Sequence, residues 1–116
     1  MVTKERQRYI IFKIIRDSDL LLDQNLILNA IWQSIWRYFG MKEANKIGLW
    51  LVELDLIEDY GIIRFSRETK EIIIAALTLI QEINGKRIVF SPIKTSGTIK
   101  SIKKNMVLKE KSFIKN

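Results

Sequence analysis

Four runs of β-branched and aromatic residues and two runs with helical spacing follow one another along this 116-residue chain in the order strand, helix, strand, strand, helix, strand. That order leaves few folds open. The first run, "RYIIFKII" (Arg8 to Ile15), is apolar on both alternating faces and bounded by charge, as a buried strand is. After the linker "DSDLLLD", Asp23 is placed to cap "QNLILNAIWQSIWRYFG", in which Leu26, Ile27, Ala30, Ile31, Ile35 and Phe39, with Trp32 and Trp36, recur at three and four. Gly40 supplies a stop, and "MKEANKIG" reads as a short helical turn closed by Gly48. "LWLVELD" and "GIIRFSR" flank the acidic turn "LIEDYG" and form an antiparallel hairpin. In "RETKEIIIAALTLIQEING" the stripe Ile73, Ala76, Leu77, Ile80 makes a second core helix, ended by Asn84-Gly85. "RIVFSPIK" is the last strand, and its Pro92 marks a sheet edge or a bulge.

Joined as a split βαβ unit, these elements make an α+β fold: a ferredoxin-like, RNA-recognition-motif-like α-β sandwich with a four-stranded antiparallel sheet and two main helices on one face. The first and last strands then lie side by side, and the acidic hairpin forms the opposite edge. The chain is too short for two cores, so residues 1–104 read as a single domain and residues 105–116 as a basic, flexible C-terminal tail.

The chemistry open to the chain is narrow. With no cysteine there is no disulfide, thiolate nucleophile or thiolate metal site, and with no histidine the usual general base and commonest metal ligand are gone. Most hydrolase designs are thereby excluded. Glu53, Asp55, Glu58 and Asp59 lie along a strand and a turn and read as a solvated edge or a partner contact, with no metal expected there. The longest apolar runs, "LWLV" and "IIIAAL", are far too short to span a bilayer, so a cytoplasmic location without membrane contact is expected.

Charge is segregated. The net charge is +7, but residues 1–16 carry +4, residues 17–84 carry −5 and residues 85–116 carry +8. Two basic ends that converge beside paired outer strands suit a polyanion, and nucleic acid is the first candidate because neutralised phosphates release counterions. An ordinary RNA-recognition motif stacks bases on aromatic residues of its central strands, whereas here "GIIRFSR" offers only Phe65, and Tyr9 and Phe12 point to opposite faces. The free sheet face reads as apolar instead. Tyr9, Ile11, Leu49 and Leu51 are assigned to it as a protein interface, and core packing accounts for at least two of the three tryptophans.

The stretch "SPIKTSGTIKSIKKN" leaves the last strand next to the basic N-terminus. It reads as a phosphate-binding elbow: Gly97 allows a sharp turn, Ser96 and Thr98 offer hydroxyls, and the amides opening a short helix face the anion, with Lys100, Lys103 and Lys104 adding charge. Capping by Thr98 uses some of the same amides. Arg6 and Arg8 stand nearby if the outer strands pair, and Arg64 and Arg67 complete the expected RNA-binding set.

From Arg8 to about Lys103 the chain resembles the small archaeal and eukaryotic ribonuclease P protein subunit family, known in archaea as component 2. The resemblance rests on "RYIIFKI", "AIWQSIWRYFG", "GLWLVELD", "GIIRFSRETKEIIIAAL", "INGKRI" and "SGTIKSI". It implies a non-catalytic protein cofactor of an RNA enzyme that removes the 5′ leader from precursor tRNA. It further implies contact with ribonuclease P RNA, with precursor tRNA indirectly, and with ribonuclease P protein component 3, as a two-plus-two heterotetramer. No cofactor is expected on the chain itself, since the magnesium belongs to the catalytic site of the RNA. Two readings from other classes stand beside this one. One is an acylphosphatase-like hydrolase using Arg64 with Ser96-Gly97-Thr98 as an anion cradle, and the other is a protein-interaction domain with fortuitous charge, marked by salt-independent behaviour towards RNA.

Overall fold

The computed structural model describes residues 7–17 and 19–101. The chain runs β1 (Gln7–Arg16), α1 (Gln24–Ile47), β2 (Trp50–Asp55), β3 (Tyr60–Ser66), a single 3-10 turn (Arg67–Thr69), α2 (Lys70–Leu79), β4 (Glu82–Ile83) and β5 (Lys86–Ser96). The strands form one sheet in the order β2-β3-β1-β5-β4, and every neighbouring pair is antiparallel. β1 and β5 pair side by side, as expected, with the acidic hairpin at the far edge.

The strand count is a correction. The sheet has five strands where four were expected, because Asn84-Gly85 does not end a helix but turns a hairpin. Both residues have positive φ, 52° and 76°. This is the geometry of a two-residue turn that matches strand twist, and it pairs Glu82 with Arg87 and Ile83 with Lys86. The helix itself stops earlier, at Leu79.

In α1 the Asp23 carboxylate accepts from the Leu26 amide at 2.8 Å and caps the first turn. Gly40, with φ 85° and ψ 172°, breaks the helix into two segments, and Gly48 closes the second in the left-handed conformation. Pro92 lies beside a bulge: Ile11 pairs with Lys94 but Phe12 pairs with Pro92, so Ile93 is the extra residue.

Strand alternation divides β1. Ile10, Phe12 and Ile14 face the helices and join Ile63 and Phe65 of β3, Ile88 and Phe90 of β5, and Ile27, Ile31, Ile35, Ile73, Ala76 and Leu77 of the helices in the main core. Phe12 meets Phe90 edge to face at 5.4 Å. Across the α1–α2 contact, the buried Ser34 hydroxyl donates to the Ala76 carbonyl at 2.8 Å, which satisfies a polar group that would otherwise be stranded. The opposite sheet face bears a smaller cluster, Ile11 and Ile62, with Tyr9, Val52 and Tyr60 packed against it. Among the described residues no helix is long and apolar enough to cross a membrane.

Candidate nucleic-acid interface

The pairing of β1 with β5 sets Tyr9 opposite Ser96, so the elbow that follows Ser96 lies beside the start of β1. A Cβ built on Gly97 would stand 3.4 Å from Arg8 Nη1. Gly97 does not have the positive φ expected of a sharp glycine turn. The Arg8 guanidinium passes beside it at ordinary van der Waals distance from that Cβ and donates to the Gln7 carbonyl at 3.1 Å. Beyond it, the Ser96 hydroxyl accepts from the Thr98 amide and the Thr98 hydroxyl accepts from the Ser101 amide, each at 3.2 Å. Thr98 is thus the N-cap of a helical turn that begins at Ile99. Capping already uses the amides of residues 98 and 101, so anion contacts in the elbow fall to the remaining amides, to the hydroxyl protons and to Lys100, which is exposed.

The same end of the sheet gathers the other described basic residues of the set. Ser66, the last residue of β3, pairs with Gln7, so the exposed Arg67 that follows it lies near Arg8, while Arg64 pairs with Tyr9 one position in. Arg8, Arg64, Arg67, Ser96, Gly97 and Thr98 therefore come from three separated stretches to one end of the sheet, with Arg8 on the helix side of β1 and Arg64 on the open face. Arg6, Lys103 and Lys104 lie outside the described residues, as does the tail at 105–116.

The expected protein-interface set divides between the two faces. Tyr9 and Ile11 lie on the face away from the helices, where Ile11 is itself buried, but Leu49 and Leu51 pack against the main core. The reason is register: Leu51 pairs with Ile63, which pairs with Ile10, and all three point towards the helices. Trp50, between the two leucines, takes the open face and is 60% exposed. Core packing also accounts for fewer tryptophans than expected. Trp32 is half-buried against the core, whereas Trp36, stacked on it at 5.9 Å, is 46% exposed.

The model of the Rpp14/Pop5 family matches residues 8–107. The chain belongs to the Rpp14/Pop5 family. Its similar proteins include ribonuclease P protein component 2 of Pyrococcus horikoshii, 35% identical over 91% of this chain and 87% of that one. The protein of the same name from Methanocaldococcus jannaschii is 34% identical over 86% of this chain and 72% of its own length. Among solved structures, a chain in the cryo-EM structure of yeast ribonuclease MRP superposes with a TM-score of 0.69 over 97% of both chains, at 15% identity, a likeness of fold.

In this Rpp14/Pop5 chain the acidic hairpin has structural partners of its own. Asp55 accepts from the amides of Ile57 and Glu58, both at 2.9 Å, and holds the turn. Asp59 lies 2.9 Å from the Arg16 guanidinium, and Glu53 accepts from the Tyr60 hydroxyl. These carboxylates are spread along the hairpin and each is engaged locally, an arrangement unlike a convergent ligand cluster.

Proposed function

We propose that this chain is a protein subunit of ribonuclease P that binds the ribonuclease P RNA and a partner protein, and contributes no catalytic group of its own. The observation that carries this reading is the convergence of Arg8, Arg64 and Arg67 with the Ser96-Gly97-Thr98 elbow at one end of the sheet. Membership of the Rpp14/Pop5 family and the names of the archaeal relatives support it. The order β2-β3-β1-β5 of the four long strands supports a ferredoxin-like split βαβ plan, with the short β4 added at one edge. On that plan the basic end meets phosphates of folded RNA, positions the RNA and lessens its self-repulsion. The cut that frees the tRNA 5′ end is made by the RNA, whose catalytic site holds the magnesium.

The partner is ribonuclease P protein component 3, assembled two plus two with this chain in the cytoplasm. Its contact is the apolar part of the open face around Ile15 and Val89, which pair with each other and are about half exposed, beside the buried Ile11. The test is reconstitution of precursor tRNA cleavage from a cognate ribonuclease P RNA with and without this chain and its partner. Both proteins together should raise cleavage at limiting magnesium, while rigorously RNA-free protein cleaves nothing. RNA-free cleavage abolished by Asp55→Asn would sink the reading.

A further inference from the structure

Four residues from four strands make a single row across the open face. Trp50 pairs with Arg64, Arg64 with Tyr9, and Tyr9 with Ser96. Directly paired residues share a sheet face, so the row runs Trp50, Arg64, Tyr9, Ser96 from β2 to β5 and ends where the elbow begins. The Arg64 guanidinium carbon lies 5.8 Å from the Trp50 ring centroid. Its Nε is buried with no hydrogen-bond partner, and no ion pair or hydrogen bond holds its other nitrogens among the described residues. An arginine has five donors and needs acceptors. Here the surface offers it two aromatic neighbours and no carboxylate in the row.

We infer that this row is a base-stacking platform for single-stranded RNA. One base lies on Trp50 and one on Tyr9, two strand spacings or about 10 Å apart. Arg64 between them takes a base-edge or phosphate oxygen, and the strand leaves past Ser96 towards Thr98 and Lys100. Charge favours a nucleotide here over a protein segment. Lys94, paired with Ile11, flanks the row on the β5 side, and the nearest carboxylate on the β2 side, Glu53, is engaged by Tyr60. Only the lower, more apolar part of the face is left to a protein. The inference rests on the reading that this end of the sheet meets RNA, and it adds recognition of bases to the contact with phosphates.

The full chain is titrated with two labelled RNA hexamers, oligoadenylate and the same backbone without bases, and affinity is read by fluorescence anisotropy. Oligoadenylate should bind more tightly than the abasic strand. Trp50→Ala and Tyr9→Ala should each weaken oligoadenylate by roughly five- to a hundredfold and leave the abasic strand unchanged, with Trp50→Phe close to the parent. Trp50 is largely exposed, so its loss leaves the core intact. As an independent readout, oligoadenylate should quench tryptophan emission in the parent and much less in Trp50→Phe. Equal binding of the two hexamers by the parent, or equal weakening of both in the variants, would overturn the platform and leave the phosphate contacts standing. If Trp50→Ala kept full affinity for oligoadenylate but prevented assembly with the partner protein, the row would be a protein contact. A parent that bound neither hexamer even at low salt would count against the RNA reading itself.

Discussion

Gly61 and Phe12 are paired across β3 and β1, and a methyl group on Gly61 would stand 2.5 Å from Cζ of the Phe12 ring. The ring is fully buried and braced by Phe90, so it has nowhere to retreat. Gly61→Ala should therefore destabilise the fold by about 1–3 kcal/mol, the usual range for overpacking. Chemical denaturation measures it, and Phe12→Leu in the same chain should return part of the loss. A Gly61→Ala chain as stable as the parent would show that the ring gives way freely.

The Asn84-Gly85 turn makes a different demand. Nothing lies within 4 Å of a Cβ on Gly85, so Gly85→Ala meets no steric obstacle and tests backbone conformation alone. At φ 76° the substitution should destabilise by about 1–2 kcal/mol. Asn84→Gly should be nearly neutral. Denaturation midpoints of the two variants compare them directly, and equal effects would remove the turn geometry as the cause.

Arg16 ties the hairpin to the linker before α1. It pairs with Asp59 and also donates to the carbonyls of Leu20 and Leu56, both at 2.9 Å. Arg16→Met should lose about 1–3 kcal/mol, since two part-buried carbonyls lose their donor. Asp59→Asn should lose less, because asparagine tolerates the left-handed conformation at φ 57° and keeps one acceptor oxygen. The reverse ranking in urea titrations would assign the stability to the ion pair instead.

At the basic end, Arg67 and Lys100 are both exposed and neither contributes to the core. The double variant Arg67→Ala, Lys100→Ala should fold normally and bind ribonuclease P RNA with a shallower dependence of log affinity on log salt, the slope falling by about one unit for each phosphate that is no longer neutralised. Unrelated RNAs should be weakened alike. An unchanged slope would return both side chains to the solvent.

Most of the scaffold was legible in the sequence because its elements carry strong local signals. Asp23 caps where the helical period begins, Gly40 and Gly48 interrupt where expected, and Pro92 sits at its bulge. The fifth strand was missed because Glu82–Ile83 is too short to show alternation, and only the Asn-Gly pair announced it. The two faces of β2 were confused for a physical reason: Leu49, Trp50, Leu51 and Val52 are all apolar, so hydrophobicity cannot say which residues point inward. The row through Trp50, Arg64 and Tyr9 was invisible for a related reason, since it exists only through the register of the β2–β3 hairpin and its pairing with the distant β1. The elbow beside Arg8 could be foreseen because strand order alone brings it there.

Both outer long strands carry an interruption: Val52 is an extra residue in β2, and Ile93 is one in β5 just after a proline that has no amide proton to share. The two-residue β4 covers only the first part of β5. A second chain searching for a straight ladder of unpaired amides and carbonyls finds a kinked one on either side. The protein can thus stand crowded beside its own copies and still resist zipping to them into fibrils.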